Sequence, residues 1–419
     1  DKTCHDPCCL TDGETFQTPP GQTPETRKCW FQNVHQYFPV QIATRGSKPI
    51  NYLPYSSSDY FKNYVESVKH PTEEAEYTIL ELLDITSTDA FLVMHEGKVM
   101  YEKYFETTEN TRHFMYSCTK SYVALCAAML AHDEKLDPDE LVVNYIPELK
   151  DVEAFHNANV RHLMDMSIAI AFDETVYGPD SDNTKFFQTM IANGTHTAIK
   201  QLKPHPSRNH GDVYNYASPV TDTLGWVIDN VLGGNGKTFE YFEENVWSKL
   251  GQEHDLLITM WDEKNFIANH SGGASATARD MMRFGQMMAN MGQSADGIQI
   301  VHPSVVEDIM KGGTDENIQQ FKNSYEYRKD VPMAYRNMFR VRPDEGIFYQ
   351  IGIHGQIVWV DTKYDLVVVK HSSNLNAVNM FTPEIYLLNL LKYGLPDGTG
   401  KISKSKSRKS KKSKKGEVV

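Results

Sequence analysis

Residues 114–122 read Phe-Met-Tyr-Ser-Cys-Thr-Lys-Ser-Tyr, and an Ala-, Leu- and Met-rich run follows. The pattern predicts a buried helix over residues 118–132 with a Ser-x-x-Lys at its start, Ser117 and Lys120. Side chains three positions apart share one helix face, so the Lys120 ammonium is expected beside the Ser117 hydroxyl. A serine becomes a good nucleophile when a base takes its proton, and a buried lysine with a lowered pKa can do so. The alternative is a capping serine followed by a surface lysine.

Two later segments carry further candidates. Tyr216-Ala-Ser218 stands at the mouth of a predicted helix over residues 221–232, where a tyrosine hydroxyl can point into a cleft. The alternative is an aromatic core residue. Gly352-Ile-His-Gly-Gln356 leads into an apolar strand, and such a strand edge can offer a backbone N–H to an oxyanion. Its alternative is a plain hairpin turn.

In this order the three segments resemble the serine β-lactamase and penicillin-binding protein superfamily, in its class C-like branch. Within that branch the chain is similar to 6-aminohexanoate-dimer (nylon-oligomer) hydrolases and related esterases. Residues 160–166, Val-Arg-His-Leu-Met-Asp-Met, and residues 276–280, Ala-Thr-Ala-Arg-Asp, also resemble that group. The resemblance covers about residues 75–395.

The resemblance implies a role for each matching residue. Ser117 would be the nucleophile, and Lys120 and Tyr216 would form its proton-transfer pair. The oxyanion hole would combine the Ser117 N–H with a strand N–H of Gln356 or Ile357. The implied substrate-binding residues are Tyr177, Ser218, His354 and Gly355.

Two positions depart from the penicillin-recognising members. His354 stands where they have the lysine of Lys-Thr-Gly, which binds a carboxylate, and Ser218 stands where lactamases place an asparagine. Both departures argue against β-lactams as substrates and favour an amide or ester.

The resemblance implies an α/β (α+β) fold of β-lactamase-like type, an antiparallel sheet flanked by helices with an inserted mainly helical subdomain. We expect the sheet from residues about 75–115 and 340–395, and the insert from about 116–339. Residues 89–105 predict two strands around a Glu-Gly turn. Residues 1–74 are expected to form a cysteine-containing leader and extension, and residues 396–419 a disordered Lys/Ser-rich tail.

Composition narrows the function classes. The 419 residues are 40% hydrophobic and 23% charged, which excludes a fibrous or wholly disordered protein, and the longest apolar run is too short for a bilayer. Residues 401–419 hold nine of the 42 basic and one of the 55 acidic side chains, so a tail of +8 follows a body of −21. An acidic body argues against nucleic acid as the ligand. The tail predicts binding to a polyanionic surface, with a nuclear signal or a solvated end as alternatives.

The cysteines and two sequons bear on the compartment. Four of six cysteines precede residue 30, which favours disulfides over a metal site, and the chain starts with Asp1. The disulfide candidates are Cys4, Cys8, Cys9 and Cys29. Asn193 and Asn269 begin glycosylation sequons. These features predict a secreted or secretory-pathway protein whose signal peptide has been removed.

The sequence therefore predicts a serine hydrolase that cleaves a small amide or ester through an acyl-enzyme and needs no cofactor or metal. One alternative is an acyltransferase or D-aminopeptidase-like member. Another is a non-catalytic binding or assembly protein on the same scaffold. The substrate and the oligomeric state are not predicted.

Overall fold

The computed structural model describes residue 8 and residues 24–72, 75–176, 178–329, 331–374 and 381–396. Four of the predicted features, Cys4, Cys9, Tyr177 and the basic tail beyond residue 396, lie outside the described residues.

Helices occupy most of the middle of the chain, as expected. The α-helices of the described residues are α1 (Pro24–Tyr37), α2 (Tyr60–Ser67), α3 (Ile79–Ile85), α4 (Cys118–His132), α5 (Val142–Tyr145), α6 (Val160–Met164), α7 (Asp182–Asn193), α8 (Thr195–Lys200), α9 (Ser218–Leu232), α10 (Lys237–Asn245), α11 (Ala278–Ala289), α12 (Pro303–Lys311), α13 (Asp315–Lys322) and α14 (Phe381–Leu391). None of the helices in this part of the chain is long and apolar enough to cross a membrane.

The strands form antiparallel sheets. They are β1 (Val40–Ala43), β2 (Lys69–Pro71), β3 (Glu76–Thr78), β4 (Thr88–His95), β5 (Lys98–Tyr104), β6 (His113–Phe114), β7 (Leu256–Asp262), β8 (Ile267–Ala268), β9 (Ala274–Ala276), β10 (Ala334–Arg336), β11 (Phe339–Arg342), β12 (Ile347–Gly352), β13 (Gln356–Asp361) and β14 (Leu366–Ser372). The large sheet has the order β10-β11-β12-β13-β14-β4-β5, a smaller one has β1-β7-β9-β6 with β8 beside β7, and β2 pairs with β3.

The large sheet is closed by segments that are distant in sequence. Strand β14 pairs with β4 from Leu366 opposite His95 to Ser372 opposite Thr88. Strands β4 and β5 form the predicted hairpin around Glu96-Gly97. The fold class predicted from the sequence, a sheet built from both ends of the body with helices between them, is confirmed.

Helices cover both faces of the large sheet. Side chains alternate between the two faces of each strand, so the strands contribute apolar residues to a core on each side. Phe91, Trp359 and Val368 belong to the core shared with α2, α3 and α14. Val367 belongs to the core shared with α4 and α11. In α11, Gly285 allows close approach to β14, since a Cβ there would lie 2.7 Å from Cγ1 of Val367. Helix α4 is enclosed by this second core, which explains its apolar sequence on all sides.

Residues 24–72, part of the leader and extension expected over residues 1–74, contact the rest of the chain through a strand and a helix. Strand β1 pairs with β7 in the smaller sheet, and α1 packs against β6. Strand β9 pairs with both β7 and β6 in the same sheet. The smaller sheet therefore links the N-terminal residues to the segment that precedes α4.

Candidate active site

Ser117 and Lys120 lie at the N-terminal end of α4. Strand β6 ends at Phe114, Tyr116 has a positive φ of 46°, and Ser117 is the N-cap residue of the helix. The Lys120 Nζ atom lies 3.0 Å from the Ser117 Oγ atom. The Ser-x-x-Lys spacing therefore brings the two side chains together, as the sequence predicted.

Lys120 is buried, with 1% of its surface exposed, and its ammonium nitrogen has three polar contacts. Besides Ser117 Oγ, they are Ser218 Oγ at 2.9 Å and the backbone oxygen of Ser271 at 2.6 Å. Burial lowers the pKa of Lys120, and the carboxylates of Glu174 and Asp222 partly oppose this by raising it. Burial therefore favours the neutral form of Lys120, which can act as a base.

The hydrogen bonds fix the direction in which Lys120 can act. Ser218 donates its hydroxyl to Glu174 Oε1 at 2.7 Å and its backbone N–H to Glu174 Oε2 at 2.5 Å. The Ser218 oxygen must then accept from Lys120, and the Ser271 carbonyl can only accept. Two N–H groups of Lys120 therefore donate to Ser218 and Ser271. A neutral amine has only two N–H groups, so its lone pair is the group that faces the Ser117 hydroxyl.

Tyr216 lies immediately before α9, with its ring 5.2 Å from Lys120 Nζ. Its hydroxyl lies next to the Ser117 side chain. Burial, and next the charge of Glu174, raise the pKa of Tyr216, while Arg340 and the Ser117 side chain lower it. The Arg340 guanidinium stacks 5.2 Å from the same ring. A protonated Tyr216 can therefore donate a proton next to Ser117.

The hairpin of β12 and β13 lies beside the nucleophile segment. A Cβ on Gly352 would come within 2.3 Å of the Met115 oxygen, so the close approach requires glycine. The Cys118 thiol donates to the backbone oxygen of Gln356 at 3.6 Å, and Gly355 turns the hairpin with a φ of 99°. The strand N–H of the oxyanion hole, from Gln356 or Ile357, stays a prediction.

His354, at the tip of the same hairpin, is 6% exposed and does not offer a cation. Its Nδ1 atom donates to the Asn374 oxygen at 2.7 Å, and Phe31 and Tyr116 lie against its ring at 5.1 and 5.5 Å. Burial lowers the pKa of His354 to about 4, so the ring is neutral at physiological pH. A neutral ring therefore stands at the position where the resemblance implies a carboxylate-binding lysine in the penicillin-recognising members, and a role of His354 in substrate binding stays a prediction.

Four residues of the site escaped the sequence analysis, and they surround Lys120 and Tyr216: Glu174, Asp222, Ser271 and Arg340. Glu174 lies three residues before Tyr177, and no motif in the sequence marks it as a site residue. Asp222 lies between Thr221 and Thr223 in the largely buried helix α9 and is 2% exposed. A carboxylate in an otherwise buried helix was the available signal, because such groups need a partner.

The candidates for modification differ in exposure. Asn193 is exposed at the end of α7 and stays a glycosylation candidate. Asn269 is 6% exposed, and its Oδ1 accepts from the Ser271 hydroxyl at 3.1 Å, so the folded chain leaves no room for a glycan there. The Cα atoms of Cys8 and Cys29 lie 5.6 Å apart, a separation that a disulfide spans, and the disulfide stays a prediction.

Comparisons with known proteins point in one direction. The family model Beta-lactamase matches residues 81–387. A 6-aminohexanoate-dimer hydrolase of Paenarthrobacter ureafaciens is 30% identical over 300 residues, which cover 70% of this chain and 74% of that protein. A Bacillus anthracis structure assigned as a 6-aminohexanoate-dimer hydrolase is similar with a TM-score of 0.75 and 25% identity, over 88% of this chain and 93% of that one. A family VIII carboxylesterase shares the fold, with a TM-score of 0.56 and 15% identity over 76% and 96%.

Proposed function

The chain belongs to the beta-lactamase family of hydrolases, and we propose that it cleaves an amide or ester through an acyl-enzyme on Ser117. The observation that carries the proposal is the position of Lys120 Nζ, 3.0 Å from Ser117 Oγ with its other two polar contacts occupied. A base held in this way is ready to take the serine proton.

Acylation follows from the same contacts. The Ser117 oxygen attacks the substrate carbonyl carbon while its proton passes to neutral Lys120. The oxyanion is stabilised by the Ser117 N–H and the strand N–H of the β12–β13 hairpin. The leaving amine or alcohol takes its proton from Tyr216, which recovers it from the Lys120 ammonium. Water then repeats the sequence and releases the acid.

The names of similar proteins indicate which substrates to propose for this chain. The names of those relatives refer to an amide, the 6-aminohexanoate dimer, and to carboxylic esters. The neutral His354 supports substrates that need no cation at the hairpin tip. We therefore assign short amides and esters to this site. An acyltransferase would be recognised by an acyl acceptor that competes with water for the acyl-enzyme.

Export and surface binding are part of the proposal. The Cys8–Cys29 pair and the exposed sequon at Asn193 support an oxidising, glycosylating compartment. The +8 charge of residues 401–419 supports binding to a polyanionic surface. Retention on an anionic resin that is lost on deletion of residues 401–419 would test the second point.

The nucleophile is tested by intact mass after treatment with a fluorophosphonate. We expect one adduct on the native protein and none on Ser117→Ala. Ser121→Ala is the matched control, because Ser121 lies in the same helix but donates to the Met338 oxygen at 2.7 Å. An adduct that persists in Ser117→Ala would overturn the assignment. An inert Ser117 would favour a non-catalytic binding role.

A further inference from the structure

Helix α9 presents two side chains toward Lys120, and only one of them belongs to the mechanism above. Ser218 and Asp222 are four residues apart, so they lie on one face of the helix. Ser218 connects Lys120 to Glu174. Asp222 connects to the same ammonium on another side, since its Oδ1 accepts from the Ser271 N–H at 3.1 Å and the Ser271 oxygen accepts from Lys120 at 2.6 Å.

Asp222 accepts fewer hydrogen bonds than a buried carboxylate with a purely structural role is expected to accept. It is 2% exposed, and its Oδ2 atom has no hydrogen-bond partner among the described residues. The Ser271 hydroxyl donates to Asn269 Oδ1 at 3.1 Å, and it also lies near enough to Asp222 to lower the pKa of that carboxyl. A buried carboxylate oxygen without a donor costs free energy unless a nearby charge or a proton compensates it. Lys120 is the neighbouring cation that lowers the pKa of Asp222.

Asp229 in the same helix shows the contrast. It is also buried, but its Oδ1 accepts from the Thr238 N–H at 2.7 Å and from the Thr238 hydroxyl at 2.8 Å, and its Oδ2 accepts from the Gly236 N–H at 3.2 Å. Asp229 therefore ties α9 to the start of α10 through a complete set of bonds. Asp222 lacks such a set and faces the catalytic lysine.

We propose that Asp222 is a positioning residue that sets the proton affinity of Lys120, so that the proton taken from Ser117 is held on the lysine during acylation. The inference rests on the proposed function of Ser117 and Lys120. Ionised Asp222 stabilises the Lys120 ammonium, and protonated Asp222 does not. Asp222 thereby offsets the burial that would otherwise make Lys120 too weak a base.

Several charged or titratable groups face this cluster. They are Lys120 and Cys118 of α4, Glu174 and Tyr216 of the loops and Arg340 of β11, and His270 is the chain neighbour of Ser271. Burial raises the pKa of Asp222 to about 7, against the lowering effect of Lys120. Burial also lowers the pKa of His270 to about 3, so this ring stays neutral over the working range. Asp222 is thus a group whose charge can change near neutral pH, and it lies beside a lysine whose pKa is lowered by burial.

The test is the pH profile of kcat/KM for p-nitrophenyl acetate with Asp222→Asn, which removes the charge and keeps the shape. The acidic limb should move to lower pH by about 1 unit, since loss of a nearby anion lowers the lysine pKa. The plateau should fall about tenfold because the ammonium is less stabilised. Asp229→Asn is the matched control, and it should lower the urea midpoint of unfolding without moving the limb.

The outcomes separate the two proposals. If Ser117 is labelled by the fluorophosphonate but the Asp222→Asn limb superimposes on that of the native enzyme, the inference about Asp222 is wrong and the hydrolase assignment stands. Asp222→Ser provides a second removal of the charge with a smaller side chain, and it should shift the limb in the same direction. Failure of both Asp222 variants to fold, with Asp229→Asn folded, would assign Asp222 a packing role and overturn the inference.

Discussion

Phe31 packs edge-on against Tyr116, with ring centroids 5.2 Å apart, and Tyr116 is the residue that precedes the nucleophile. Phe31 lies in α1, outside the residues that match the family model. The same ring contacts His354 at the hairpin tip. One side chain of the N-terminal helix therefore touches both segments that border Ser117.

Replacement of Phe31 by alanine should slow the acylation of Ser117. Tyr116 is held at a φ of 46°, a conformation that costs a bulky residue about 1–3 kcal/mol and persists only under surrounding contacts. Loss of the Phe31 ring lets Tyr116 relax and moves the serine, and we expect labelling by fluorophosphonate to slow by about 10- to 100-fold. Unfolding free energy should fall by about 3–5 kcal/mol, so rates are measured well below the unfolding transition.

Phe31→Leu should recover most of the labelling rate, because it restores the packing. Gln36→Ala, on the exposed side of α1, should leave it unchanged. A normal labelling rate in a destabilised Phe31→Ala would show that α1 supports the fold and not the geometry of Ser117.

The sequence predicts those features that depend on residues close together in the chain, and it does not predict those that depend on distant ones. The β4–β5 hairpin, α4, and the pairing of Ser117 with Lys120 follow from local periodicity and spacing, and all are present. The place of α1 does not, because its contacts with β6 and the hairpin tip join positions distant in sequence. Periodicity gives the apolar face of such a helix but not what covers it.

In the candidate site, too, local patterns were predicted and contacts between distant residues were not. Ser117, Lys120 and Tyr216 belong to segments with a recognisable pattern, and the structure brings them together. Glu174 accepts two hydrogen bonds from Ser218, and Asp222 accepts one from the Ser271 N–H; no spacing rule encodes these contacts. Asn269 matched a sequon, yet its burial is a tertiary property that three residues of sequence do not carry.

Replacement of Glu174 by glutamine should reduce kcat/KM by about 10- to 100-fold. The carboxylate accepts both the N–H and the hydroxyl of Ser218, and the amide group of glutamine would face one of these donors with another donor. The change also removes a charge that raises the pKa of Lys120. The measurement is steady-state hydrolysis of a p-nitrophenyl ester.

A double-mutant cycle with Ser218→Ala shows whether the two residues act as one relay. In that case Glu174→Gln combined with Ser218→Ala should be hardly slower than the more damaged single variant. Losses that simply add would mean that Glu174 does not act through Ser218.

Four buried histidines should each lower the stability of the protein as the pH drops from about 6.5 toward 4. The buried carboxyls Asp222, Asp229 and Asp361, whose pKa is raised to between about 6 and about 7, act in the opposite direction, so the histidine contribution is read from variants. Burial lowers the pKa of His270 to about 3, and that of His162, His196 and His354 to about 4. The unfolded chain binds protons at these histidines below their usual pKa while the folded chain does not, so unfolding is favoured by about 1.4 kcal/mol per unit of pKa difference. Above about pH 6.5 these groups should contribute no pH dependence.

Urea midpoints measured from pH 8 to pH 4 test this expectation. His270→Gln should lose stability at neutral pH, because the ring fills the space beside Gly225, and should show a shallower fall on the acidic side. His156→Gln, at an exposed position, should keep the slope of the native protein. A pH dependence of the His270→Gln midpoint identical to that of the native protein would contradict the assignment of His270 as a buried neutral histidine.

The native enzyme should hydrolyse p-nitrophenyl esters and short amides and show weak or no turnover of a chromogenic cephalosporin. A penicillin-recognising site binds the substrate carboxylate with a lysine at the position of His354, but here Phe31 and Tyr116 cover a neutral ring. His354→Lys should not create cephalosporin turnover, since the new ammonium would be buried against the same aromatic side chains. Parallel assays with all three substrate classes, with Ser117→Ala as the blank, provide the comparison. A cephalosporin rate above the ester rate would show that carboxylate recognition does not depend on the hairpin tip.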